Sequence, residues 1–131
     1  MVRRARIFAV GVVTLGFAFI VISSAAAAAE GDPKAGKARY DLLCGSCHGT
    51  SGKGDGPAAA ALTPKPRDHS DGKYMNTLTD KYFFDIIKGG GASAGKSPLM
   101  PPWAGQLSDQ DIRNLVAYIR SLAVPPYKPP K

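Results

Sequence analysis

The clearest periodicity lies near the C-terminal end, where Ile112, Leu115, Val116, Ile119 and Leu122 recur at helical spacing. Ser108-Asp109-Gln110-Asp111 resembles a capping box with Asp in place of the usual Glu, so this helix is expected to span Asp109 to Leu122. A second apolar face, Tyr82 or Phe83 with Ile86 and Ile87, predicts a helix from Asp80 to Lys88, with Thr79 as its cap and Gly89-Gly90-Gly91 as its stop. A further helix starts at Asp32-Pro33, an N-cap followed by proline at the first helical position, and runs through Leu42-Leu43. Between these lie segments that break helix. Gly49 to Gly56 is a glycine-rich loop, Ala58 to Leu62 makes a short helical turn, and Thr63 to Arg67 is extended because each proline disfavours helix before it. Ala92 to Gln106 reads as a long irregular segment. No run has the alternation of a strand and no repeat is visible, so the pattern predicts an all-α protein.

Both ends of the chain differ from this core. Met1 to Arg6 is basic, Ile7 to Ile22 is apolar, and Ser23-Ser24 with Ala25 to Ala29 follow. This order matches a secretory signal with cleavage near positions 27–29, giving a segment 1–29 that is removed on export to the periplasm. The alternative is a retained helix that tethers the protein to a membrane. At the other end, Val124 to Lys131 holds four prolines and is expected to be an extended, solvated tail, 125–131.

The remaining 30–124 is the length of one domain. The whole chain of 131 residues has a formal net charge of +7. Loss of Arg3, Arg4 and Arg6 with the signal lowers it to +4. That surplus is too small to argue for nucleic acid. It is compatible with docking to acidic patches on protein partners.

The residues that carry chemistry are Cys44-Gly45-Ser46-Cys47-His48. C-x-x-C-H is an attachment site for a c-type haem. The thiols of Cys44 and Cys47 form thioethers with the two vinyl groups, and His48 ligates the iron. On a helix these three residues fall at i, i+3 and i+4 and share one face. Other readings fit less well. A redox dithiol wants a βαβ setting, a zinc site wants four ligands, and this chain has two cysteines and two histidines in all. A disulfide would close a very small ring.

A haem held by His48 leaves one axial position. Met75, Met100 and His69 are the candidates. Met100 sits in Ser97-Pro98-Leu99-Met100-Pro101-Pro102-Trp103, where prolines restrict the backbone and reduce the entropy lost on fixing the sulfur. Thioether ligation also raises the reduction potential. Met75 has no comparable stiffening, and His69, in a polar run, is expected to face solvent.

Taken together, these residues are similar to those of the small bacterial class I c-type cytochromes with one haem. Gly36-x3-Tyr40-x3-Cys44-x2-Cys47-His48 looks like the family's first helix and haem site. Gly54-x-Gly56-Pro57 resembles its proximal loop, Pro98-Leu99-Met100-Pro101 its distal methionine loop, and Leu115 to Leu122 with Tyr118 its last helix. The resemblance implies three main helices and long loops wrapped around one covalently attached haem c. It implies that the Pro57 carbonyl accepts a hydrogen bond from His48, that Met100 is the distal ligand, and that Trp103 or Tyr74 contacts a propionate. It makes Gly36 a close contact where the terminal helices cross.

The expected function is transfer of single electrons between periplasmic or membrane redox proteins, with no catalytic residues. Lys73, Lys88 and Lys96 are candidates for steering acidic partners. A subunit role in a dehydrogenase or oxidase complex, or a tethered carrier, uses the same chemistry. A haem enzyme or gas sensor would need an open iron site.

Overall fold

The computed structural model describes residues 30–129. The expected secretory segment therefore lies outside the described residues. Among the described residues, five α-helices occur in the order α1 (Pro33–Leu43), α2 (Gly45–His48), α3 (Gly72–Met75), α4 (Asp80–Gly89) and α5 (Asp109–Leu122). Short 3₁₀ turns form at Ala59–Ala61 and Gly91–Ala94. The long helices are α1, α4 and α5, as the all-α class I pattern requires.

Each long helix begins where its capping residue dictates. The Asp32 carboxylate accepts from the Lys34 amide ahead of Pro33, and Thr79 accepts from the Tyr82 amide. At α5 the Ser108 hydroxyl accepts from the Asp111 amide, and the Asp111 carboxylate accepts from Ser108. Such caps satisfy amides that the helix leaves unpaired, each worth about 1 kcal/mol. The apolar stripe of α5 is buried as its spacing predicts, with Ile112, Leu115, Val116 and Ile119 all inside.

Two crossings organise the core. α1 lies across α5, with Gly36 backed directly onto the Asn114 carbonyl and the Tyr118 side chain. A Cβ at position 36 would overlap that carbonyl. One turn later Tyr40, fully buried, packs edge-on against Tyr118 with ring centroids 5.0 Å apart. The second contact joins α4 to α5 through Phe83 and Ile87, and Lys88 at the end of α4 pairs with Asp109 at the start of α5 at 2.7 Å. That pairing places a cation at one helix C-terminus and an anion at the other's N-terminus, which both macrodipoles favour.

Arg120 is 7% exposed and fully engaged. Its guanidinium donates to Asp80 at 2.7 Å, to the Met75 carbonyl at 2.8 Å and to the Leu78 carbonyl at 2.6 Å. Its faces lie against Phe83 and Tyr127. A buried charge is tolerated when it is paired and hydrogen-bonded in this way.

Two expectations change. Asp71 caps the short α3, accepting from the Tyr74 amide, so Met75 sits on ordered helix rather than in a free approach to α4. The proline-rich tail is not solvated throughout. Val124 bridges in parallel to Asp71, Asn76 donates to the Pro125 carbonyl at 3.0 Å, and Tyr127 covers Arg120. Prolines leave carbonyls unpaired by local structure, and here neighbouring side chains and amides take them up.

Gly36→Ala tests the first crossing. An unhindered helical glycine gains about 0.4–1 kcal/mol on this change. Here the overlap should reverse the sign and cost about 1–3 kcal/mol, read as a lower urea midpoint of the haem-bound protein.

Candidate haem site

The first helix delivers the C-x-x-C-H residues to one surface. The Cys44 amide donates to the Tyr40 carbonyl at 2.8 Å, and the Cys47 and His48 amides both donate to the Cys44 carbonyl. This keeps α2 a continuation of helical geometry, so Cys44, Cys47 and His48 line the same cavity of about 620 Å³. The size is within the usual range for small-molecule and cofactor sites. Both thiols are free and partly buried. Burial, with the neighbouring Cys47 adding to it, pushes the Cys44 thiol up to about 11. Among the described residues no group of three or more His, Cys, Asp or Glu is placed to hold a metal ion.

His48 is held through Nδ1, which lies 3.0 Å from the carbonyl oxygen of Arg67. The partner expected from the proximal loop was Pro57, and the structure differs for a local reason. The Gly56 and Ala58 amides donate back to the Cys47 and Ser46 carbonyls, and Pro57 between them is exposed and does not line the cavity. The extended Pro64–Arg67 segment runs along the cavity instead and supplies the carbonyl. Fixing one ring nitrogen leaves Nε2 as the nitrogen available to a metal.

His69 is also placed differently from the sequence expectation. It is 8% exposed rather than solvent-facing. Its ring stacks on that of His48, with centroids 4.3 Å apart and planes 17° from parallel. Its Nδ1 lies 2.9 Å from the Tyr40 hydroxyl, and its amide donates to the Gly52 carbonyl at 2.6 Å. Gly52 has φ +75, and a side chain there would strike Leu122 and crowd His69.

Met100, Met75, Trp103 and Tyr74 line the same cavity. Met75 is almost fully buried, whereas Met100 is partly buried and presented by a tight turn. The Met100 amide donates to the Ser97 carbonyl, and its carbonyl accepts from Gly91 at 2.9 Å. The Trp103 amide donates to the Ile87 carbonyl, which pins the proline-rich segment to α4. Much of the remaining wall is apolar, including Leu43, Leu78, Phe83, Ile86 and Ile119. Basic residues of the wall are Lys65, Arg67 and Lys96. Of the other two candidate lysines, Lys88 is paired with Asp109 and Lys73 is not part of the wall.

These residues fit a covalently attached haem: two cysteine side chains and a fixed imidazole on one turn, facing a largely apolar cavity with methionines in its wall. The comparisons agree. The cytochrome c family model matches residues 33–123. Cytochrome c-554(547) of Halothiobacillus neapolitanus is 38% identical over 96 residues, covering 70% of this chain and 98% of that protein. Cytochrome c-554(548) of Halomonas halodenitrificans is 35% identical over 91 residues, covering 70% of this chain and 96% of that one. Among solved structures, a chain of the reducing HAO-like protein complex of Kuenenia stuttgartiensis matches with a TM-score of 0.57 and 31% identity, over 70% of this chain and 43% of that chain.

The chain belongs to the cytochrome c family. It is a small bacterial class I c-type cytochrome with one covalently bound haem c, an electron carrier rather than an enzyme.

Burial sets the titration of the site. Desolvation, reinforced by His48 and Arg67, holds His69 well below the ordinary histidine value. Desolvation also lowers His48, partly offset by the Arg67 carbonyl. An unfolded histidine takes up a proton below about pH 6.5, while folded His69 stays neutral. Its contribution to stability is therefore complete above that pH and falls as pH drops. In urea titrations of the haem-bound protein from about pH 7 to 5, His69→Phe should flatten the decline in unfolding free energy.

Proposed function

We propose that Cys44 and Cys47 hold the haem as thioethers, that His48 and Met100 ligate its iron from its two sides, and that the protein is an exported, periplasmic shuttle of single electrons. The observation that carries this reading is that all four side chains line one largely apolar cavity. When bound, the haem supplies a one-electron couple between Fe(III) and Fe(II). The protein's residues govern how that couple behaves. The Arg67 carbonyl keeps the His48 ring in one tautomer. The turn at Met100 and its flanking prolines hold the sulfur with little entropy left to lose. Apolar walls limit water and favour the less charged oxidation state. Were His48 and Met100 both to hold the iron, the protein would leave no coordination place to a substrate.

Redox proteins are the partners this chemistry serves: a membrane oxidoreductase, a dehydrogenase or an oxidase. Lys65, Arg67 and Lys96 give the cavity wall a positive character suited to acidic partners, and Trp103 is the candidate contact for a propionate. Among the described residues no helix is long and apolar enough to cross a membrane.

Two measurements test these assignments. Met100→Ala should abolish the weak long-wavelength sulfur-to-iron band of the oxidised protein, while Met75→Leu should retain it; survival of the band in the alanine variant would move the ligand elsewhere. The intact mass of the native protein should lack about 27 to 29 residues and include one haem, whereas a full-length mass would mean that the segment is retained.

A further inference from the structure

The geometry points to His69 as a positioning residue for the proximal ligand: its ring, stacked on His48 and anchored by Tyr40, fixes the plane of the imidazole that meets the iron. The inference rests on His48 being that ligand.

The carbonyl of Arg67 alone does not determine this plane. A hydrogen bond at Nδ1 fixes a direction within the imidazole, but the ring can still rock about the line from Nδ1 to Nε2. A flat neighbour on its face removes that freedom. The His69 ring lies 4.3 Å from the His48 ring and within 17° of parallel. At that separation, rocking of either ring brings edges into repulsive contact.

A neighbour can fix a plane only if it is itself fixed, and His69 is held from two directions. Tyr40 lies 2.9 Å from its Nδ1, and Gly52 accepts its amide at 2.6 Å. Tyr40 is locked in turn by Tyr118, whose hydroxyl donates to the Thr50 carbonyl at 3.3 Å. The brace thus runs from α5 through α1 to the face of the ligand. A phenylalanine at position 69 would supply the face but no bond to Tyr40, and an aliphatic side chain would supply neither. Imidazole meets both requirements, which accounts for a histidine in an almost closed site.

The ligand plane matters because it selects which iron d orbital overlaps the imidazole π system. That choice sets how unpaired spin spreads over the oxidised haem. The experiment compares the haem-bound, oxidised wild type with His69→Phe, His69→Leu and Tyr40→Phe. The readouts are paramagnetically shifted haem-methyl resonances and electron paramagnetic resonance g values. Absorption spectra run alongside report whether the iron remains low-spin with both ligands.

His69→Leu is expected to change the order or spread of the methyl shifts and the largest g value while the iron stays low-spin. His69→Phe, which keeps a flat face, should lie much closer to wild type. Tyr40→Phe should move in the direction of the leucine variant by a smaller amount. The idea is overturned if His69→Leu leaves shifts and g values at wild-type values, or if phenylalanine perturbs them as much as leucine does. Should the leucine variant fail to fold, Tyr40→Phe and His69→Phe decide, since each loses the bond between positions 40 and 69: displaced shifts in both would support the inference, and wild-type shifts in Tyr40→Phe would overturn it. Loss of the proximal ligand would appear differently. Substitution of His48 itself would have to leave a six-coordinate low-spin spectrum for the underlying assignment to fail.

Discussion

The contact on which the rest of this structure depends is the crossing of α1 and α5 at Gly36, where backbone meets backbone with no side chain between. Its closeness lets Tyr40 reach Tyr118 and keeps the following turn, with Cys44, Cys47 and His48, directed at the cavity rather than away from it. A larger residue would separate the helices, and each element hung on α1 would move with it. The Asp32 amide, which donates to the Asn114 side chain at 2.8 Å, fastens the start of α1 to the same part of α5.

Around that crossing the polar groups work in two clusters. On one side, the Arg67 carbonyl, His69 and Tyr40 surround His48 with neutral hydrogen-bonding groups in a buried setting. On the other, Arg120 gathers the end of α3, the start of α4 and the tail around one guanidinium. Both replace apolar packing where loops, rather than helices, form the wall. Loop carbonyls have no helical partner, so the wall stands only if side chains or neighbouring amides satisfy them.

The sequence carried the parts that depend on local chemistry. α5 begins at Ser108 and ends after Leu122 as its cap and stripe dictate, and α4 extends only to Gly89, one residue beyond the expected end. Cys44, Cys47 and His48 were legible because their spacing has meaning by itself. Met100 stood out as a candidate through its prolines, and the family resemblance marked Gly36 as a close contact. Long-range partners were not legible. The glycine-rich loop announces a turn but not which carbonyl arrives at His48 afterwards; Pro57 came from the family resemblance, and the Arg67 carbonyl arrives from a segment further along the chain. His69 has charged and polar neighbours in sequence, and nothing local reveals that Tyr40, 29 residues earlier, waits for it. The tail has no periodicity, and its docking rests on Arg120 and Asn76, contacts no window of sequence contains.

The order of the elements along the chain has a consequence for biogenesis. α1 and the cysteines precede α5 by more than half the domain, yet α5 is what completes the wall behind them. During synthesis or export from the N-terminal end, both thiols emerge while the strip that will enclose them does not yet exist. The topology therefore leaves an interval in which the attachment residues are open to an assembling factor. Arrival of the last helix, and then of the tail that fastens over Arg120, ends that interval. Permuting the chain so that α5 came first would preserve every contact in the finished fold and remove the interval.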